Sequence, residues 1–134
     1  MDFEIVHGAN VESDVISQMI NIYIENNWGE RDDFTIESFK MAIRTGITLI
    51  AISDGKVLGF LRGYSDYYKI AWIAEVITGI SVKRLGIASK LVKKFIDEAK
   101  AYSIYLEALN DSVAFFEKNG FKLRGKLNAM SMSA

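Results

Sequence analysis

The chain has 134 residues, half of them apolar and a quarter charged, with a formal net charge of −1 and neither cysteine nor proline. That length suits one domain covering residues 1–134, and the near-neutral charge argues against a general nucleic-acid or membrane binder, which carries a basic excess. Without cysteine there is no disulfide framework, thiol nucleophile or thiolate metal site, and the acidic start MDFEIVHG lacks the basic flank and apolar run of a signal peptide, so the expectation is a soluble, cytoplasmic protein. Residues 3–6 (FEIV) alternate as a short first strand. Between residues 11 and 24, Val15, Ile16, Met19, Ile20 and Tyr23 recur at spacings of three and four, predicting a helix capped by Asn10 or Ser13. Thr35 caps a second helix, stopped by Gly46. Residues 47–53 and 56–64 read as strands joined by Asp54-Gly55, a strong hairpin signal. After a polar, aromatic turn at 65–69, residues 70–78 form a nearly continuous apolar strand. From Gly86 onward Ile87, Ala88, Leu91, Val92, Phe95, Ile96 and Ala99 define an amphipathic helix. Residues 104–109 then predict a strand, 112–119 a short helix stopped by Gly120, and 121–127 a last strand. The order βααβββαβαβ is a mixed α/β fold (α+β, mixed sheet) around one central sheet flanked by helices.

Charge is unevenly spread. Residues 1–37 hold nine Asp and Glu against one arginine, Arg31, whereas residues 78–96 hold Lys83, Arg84, Lys90, Lys93 and Lys94 and no acid. One region suits a cationic partner and the other an anionic one, although solvated surface gives the same pattern.

The basic stretch 83-KRLGIAS-89 sits where a strand gives way to a helix. The first turn of a helix exposes unpaired N–H groups and the positive end of the dipole; a glycine there lets a phosphate approach the backbone, and flanking cations add charge. A plain solvated turn is the alternative reading. The stretch is neither a Walker loop nor G-x-G-x-x-G, and neither motif occurs in the chain. Glu75, a carboxylate within the apolar run IAEVIT, is a candidate base or else the ion-pair partner of Arg62 or a lysine. Asp66 is a candidate polar group at the edge of a site. Trp28, between the first two helices, either contacts substrate or folds over the core. His7 reads as a surface or capping residue, Tyr64, Tyr67 and Tyr68 as cleft-lining or exposed, and Lys90, Lys93 and Lys94 as a solvated helix face.

Three runs, in order, carry a resemblance: G59-F60-L61-R62-G63-Y64-S65-D66, K83-R84-L85-G86-I87-A88, and F115-F116-E117-K118-N119-G120-F121. Together they span roughly residues 47–125 and resemble the GNAT superfamily of acyl-CoA-dependent N-acetyltransferases, whose [QR]-x-x-G-x-[GA] signature binds the pyrophosphate of coenzyme A. The resemblance implies acetyl-CoA as co-substrate, an amine acceptor, no metal, and the same element order βααβββαβαβ. It also implies that backbone groups of Ile77, Thr78 and Ile80 bind the acyl and pantetheine portion. N–H groups from Lys83 through Arg84, Leu85, Gly86, Ile87 and Ala88 to Ser89 would hold the pyrophosphate, with Asn110 near the pantetheine arm and Phe116 beside the thioester sulfur. Trp28, Arg62 and Asp66 would lie toward the acceptor. Two positions depart from the family pattern. Lys83 stands where Gln or Arg is usual, losing the planar fork. Phe116 stands where many members have a tyrosine that protonates the leaving thiolate, which leaves Tyr105, Tyr102 and Ser112 as substitutes. The acidic first third implies a cationic acceptor such as a polyamine, a small amine or a lysine side chain. The competing readings are a catalytically weak acyl-CoA-binding regulatory module and an unrelated α/β phosphate binder; neither a nucleic-acid nor a membrane partner is expected, and a homodimer is compatible with the sequence.

Overall fold

A computed structural model describes residues 2–133. Five strands form one sheet in sequential order: β1 (Glu4–His7), β2 (Ile47–Ser53), β3 (Lys56–Ser65), β4 (Ile70–Thr78) and β5 (Ser103–Leu106). The first four pair antiparallel, and β5 joins β4 in parallel. The β2–β3 turn is the one Asp54-Gly55 predicts. Both residues take positive φ (50° and 75°), the combination that matches the right-handed twist of paired strands.

Helices cover both faces, which explains why β2, β3 and β4 are nearly continuous apolar runs. On one side α1 (Ser13–Glu25) and α2 (Ile36–Ala42) bury Ile16, Met19, Ile20, Tyr23 and Phe39 against Ile50, Phe60 and Ile77. The N-cap of α1 is Glu12, which makes no side-chain cap bond, so neither Asn10 nor Ser13 fills that role; Thr35 does cap α2, accepting from the Ser38 N–H at 3.1 Å. On the other side α3 (Ile87–Ala99) buries Ile87, Leu91, Val92, Phe95 and Ala99 against Leu49, Leu61, Ala71 and Ile73. The short α4 (Val113–Lys118) adds Phe115 and Phe116 to this second core. No helix among the described residues is long and apolar enough to cross a membrane.

Two irregularities along β4 shape its C-terminal half. Arg62 pairs with Glu75 but Gly63 pairs with Ile73, so Ala74 is an extra residue, a β-bulge. Ala71 and Ile73 face α3, and strict alternation would send residue 75 the same way. The bulge reverses the parity: Ile77 lies in the α1 core, and Glu75 bonds to Tyr23 of α1. The β4–β5 ladder, in turn, ends at Ile73 and Leu106, while β4 runs on to Thr78. From Ala74 onward the two strands part, leaving a slot along the β4 edge.

The C-terminal segment differs from expectation. The expected strand at 104–109 is shorter and begins one residue earlier, and residues 121–127 form no strand. Backbone groups at both ends of that segment are spent locally, with Phe121 N–H donating to the Phe116 carbonyl and Leu127 N–H to that of Arg124, both at 3.0 Å. Lys122, Arg124, Lys126 and the intervening Gly125 further weaken its pairing. The apolar alternation that suggested a strand leaves Leu123 and Leu127 exposed.

At Gly63 the sheet packs closely against Phe95 of α3. A Cβ there would overlap the Phe95 ring, lying 2.7 Å from Cζ, and sit 2.8 Å from the Trp72 carbonyl oxygen. Gly63→Ala is therefore expected to destabilise the protein by about 1–3 kcal/mol in urea unfolding, the usual scale of overpacking. An unchanged midpoint would show that this contact yields freely.

Candidate functional site

The C-terminal end of β4 is anchored by the end of α1. Asn26 Nδ2 donates to the Thr78 carbonyl at 3.0 Å, Glu25 Oε1 accepts from the Ile80 N–H at 3.0 Å, and the Gly79 N–H reaches the Leu58 carbonyl at 2.8 Å. Ile77 and Thr78 are buried and Ile80 is exposed. The slot beside residues 74–78 thus has one rigid wall, with the Ile80 N–H already committed to Glu25.

The slot leads directly into the basic loop. A 3-10 turn (Ile80–Val82) tucks Val82 into the core, Lys83 is extended, and Arg84 and Gly86 adopt left-handed φ values of 68° and 81°. Gly86 serves as the N-cap of α3, and the first helical bond is Lys90 N–H to the Gly86 carbonyl at 3.2 Å. The N–H groups of Ile87, Ala88 and Ser89 consequently have no partner within the helix, and they stand at the positive end of its dipole. A Cβ on residue 86 would meet nothing within 4 Å. Glycine is needed there for its φ, and the space in front of the backbone is open. Lys83, Arg84 and Leu85 are exposed around it. Asn119, just beyond α4, donates to Ser89 Oγ at 3.4 Å and connects the loop to α4. Phe116 packs edge-on against Phe115 and Phe121, with centroids 5.0 and 5.8 Å apart, and Asn110 opens an exposed 3-10 turn after β5.

On the α1 face, Glu75 Oε1 accepts from both Tyr23 Oη–H and Arg62 Nη1–H at 2.8 Å, and Arg62 Nη1 also lies 3.3 Å from the Tyr23 hydroxyl. Arg62 sits over the Phe39 ring at 5.5 Å, a cation–π contact. Tyr23 stacks on Phe34 and meets Phe39 and Phe60 edge-on. Burial, followed by the Glu75 charge, pushes the Tyr23 hydroxyl well above the ordinary tyrosine range, so it stays protonated and keeps donating. Trp28 lies at the mouth of this cluster, half-exposed, its ring 6.5 Å from that of Tyr23.

Asp66 stands apart, on the β3–β4 turn. Its Oδ1 accepts from the N–H groups of Tyr68, Lys69 and Ile70 at 2.9, 2.7 and 3.0 Å, and these bonds hold its carboxyl below the usual range. It is at the opposite end of β4 from Thr78. Tyr102 is fully exposed, Tyr105 stacks on Trp72, and His7 Nε2 lies 2.6 Å from Glu98 Oε1 on α3, away from the slot. Sequence reasoning counted Tyr23 as one member of a helical apolar row and passed over Glu25, Asn26 and Trp72. Their roles depend on what α1 and the sheet bring opposite them, which residue spacing does not encode.

Residues 14–121 match the profile of the acetyltransferase (GNAT) family. No curated protein matches the chain in sequence. In fold it is similar to a GNAT-family acetyltransferase from Streptococcus pneumoniae, at 20% identity and a TM-score of 0.75 over 99% of this chain and 97% of that one. An acetyltransferase from Trypanosoma brucei matches at 17% identity and TM-score 0.75, covering 98% and 100% of the two chains. An aminoglycoside acetyltransferase from an uncultured soil metagenomic sample, solved with sisomicin, matches at 15% identity and TM-score 0.72, covering 98% and 96%. With a family match over most of its length, together with the split β4–β5 pair and the left-handed loop before α3, the chain belongs to the GNAT family of acetyltransferases.

Proposed function

We propose that the protein transfers the acetyl group of acetyl-CoA directly to a primary amine. The observation that carries this reading is the continuity of slot and loop: the edge of β4 freed at Ala74 runs straight to the unpaired N–H groups at the start of α3. In this reading the pyrophosphate lies on the N–H groups of Ile87, Ala88 and Ser89, with Lys83 and Arg84 adding charge. The pantetheine arm follows the free edge through Thr78 and Ile77, past Asn110 and Phe116. The thioester carbonyl meets a backbone N–H near the bulge, which stabilises the oxyanion. The amine nitrogen attacks that carbonyl, a C–N bond forms, the C–S bond breaks, and coenzyme A leaves as a thiolate. The proton lost by the amine passes through water to the sulfur, since Phe116 has none to give. Glu75, fixed by Tyr23 and Arg62 through Oε1, presents Oε2 to the incoming amine as base or orienting group. The nine acids among residues 1–37 favour a cationic acceptor. A second reading, an acyl-CoA-binding module with little catalysis, is favoured by Phe116 and by the engagement of Glu75 with Arg62.

A thiol-release assay with acetyl-CoA and pooled amines separates the two readings. Turnover that falls at least tenfold in Glu75→Gln, with the KM for acetyl-CoA unchanged, is the outcome expected of the enzyme. Absence of release across the panel, despite binding, selects the module. Acetyl-CoA at a hundred times its Kd should add about 2.7 kcal/mol of stability to the wild type. Gly86→Glu, which puts a carboxylate into the cradle and a side chain at φ 81°, should abolish that gain; persistence of the thermal shift would move the pyrophosphate elsewhere. Tyr23 supplies a check on the Glu75 cluster. Its pKa is raised on folding, so the contribution of its neutral form is complete below the unfolded value of about 10 and is lost as pH rises beyond it. Wild-type stability should therefore decline above pH 10 more steeply than that of Tyr23→Phe, and the variant should be about 1–3 kcal/mol less stable at pH 7. Parallel pH curves would separate Tyr23 from this linkage.

A further inference from the structure

Three aromatic side chains form a row across the sheet face that carries Glu75. Tyr64 of β3 lies opposite Trp72 of β4, and Trp72 lies opposite Tyr105 of β5. Their neighbours Ala71 and Ile73 are buried toward α3, so Trp72 projects from the other face. The Trp72 and Tyr105 rings stack, with centroids 6.0 Å apart and planes 24° from parallel. All three remain open to solvent, Tyr64 at 42%, Trp72 at 38% and Tyr105 at 39%.

The row's position and width bear on what could lie on it. It crosses two interstrand spacings, about 10 Å, which is the width of an aryl group with room at either end. Trp72 and Tyr105 form the last rung but one before the β4–β5 ladder ends at Ile73 and Leu106, so the row borders the mouth of the slot. Glu75, paired with Arg62, stands on the same face three residues along β4, and Glu107 is the exposed residue that immediately follows the end of β5. A flat apolar group on the row would place a substituent two or three atoms long, ending in an amine, at the slot mouth.

We propose that Tyr64, Trp72 and Tyr105 form the acceptor subsite and that the acceptor is a primary amine bearing an aryl group on a short spacer. This rests on the acetyl-transfer reading of the slot and loop. The aryl ring stacks on Trp72, the ammonium is drawn in by Glu107 and Glu75, and the neutral amine attacks the thioester. The amine loses one proton, the product is the N-acetyl amide, and coenzyme A leaves as the thiol. A linear polyamine presents no flat ring to such a row.

Phenethylamine, n-hexylamine and spermidine are the probes. With excitation confined to tryptophan in a Trp28→Phe background, so that Trp72 alone reports, phenethylamine should change the emission saturably, and hexylamine should not. The affinity should weaken on the order of tenfold in Tyr105→Ala, where Trp72 is still present to report, in line with the loss of one stacked partner. In thiol release, kcat/KM for phenethylamine should exceed that for hexylamine and spermidine by at least tenfold. Trp72→Ala should raise the KM for phenethylamine on the order of tenfold, with the KM for acetyl-CoA unchanged, whereas Trp72→Phe should restore most of the loss. Saturable phenethylamine binding without turnover of any amine would uphold the aryl subsite and overturn acetyl transfer. Equal turnover of the three amines, unaffected by Trp72→Ala, would overturn the subsite and leave acetyl transfer standing. No emission change and no turnover of phenethylamine would overturn the subsite as well.

Discussion

The extra residue in β4 governs the rest of the structure. A strand has a period of two, so inserting Ala74 exchanges the faces of everything after it. Before the bulge, alternate residues of β4 fill the α3 core; after it, Glu75 and Ile77 point toward α1. The same place ends the ladder with β5, because a strand that bends and twists more sharply cannot hold a parallel partner in register. One insertion thus leaves a backbone edge of β4 unpaired and turns a carboxylate to the α1 face.

The polar cluster around Glu75 shows how such a carboxylate is kept in a largely apolar setting. A half-buried charge is costly unless paired and hydrogen-bonded, and Arg62 and Tyr23 supply both. The aromatic shell of Phe34, Phe39 and Phe60 holds Tyr23 in place, so the geometry of Glu75 is set by packing as much as by charge. On the far side of the slot the balance differs. Lys83 and Arg84 are free in solvent, and the fixed elements are the backbone dihedrals of Arg84 and Gly86. One wall is a preorganised side-chain network, and the other is a preorganised backbone.

The regular elements were legible because each rests on local signals. The Asp54-Gly55 turn, the Thr35 cap and the spacing from Ile87 to Ala99 specify a hairpin, a helix start and a helix face within a few residues. Lys83 through Ser89 was legible for the same reason, as a glycine and cations at the junction of a strand and a helix. The features that depend on registration between distant strands were not. Nothing in IAWIAEVIT marks Ala74 as the bulged residue, since the apolar run is continuous and either face is buried. The Arg62–Glu75 pair was among the alternatives the sequence offered and is present, but Tyr23 joins it from 39 and 52 positions away in sequence, which spacing cannot reveal. The misread strand at 121–127 illustrates the converse: alternation was present, but cations and glycine between the apolar positions left its backbone to local turns.

The parallel join between β4 and β5 has a consequence of its own. A parallel neighbour is reached only by crossing over the sheet, and here the crossover consists of the basic loop around Gly86 and α3. A molecule lying in both the loop and the slot touches the start of that crossover and the strand pair it closes. It would act as a removable staple on the longest excursion between adjacent β4 and β5, so the rate at which β5 peels away from the sheet is tied to whether the cradle is filled.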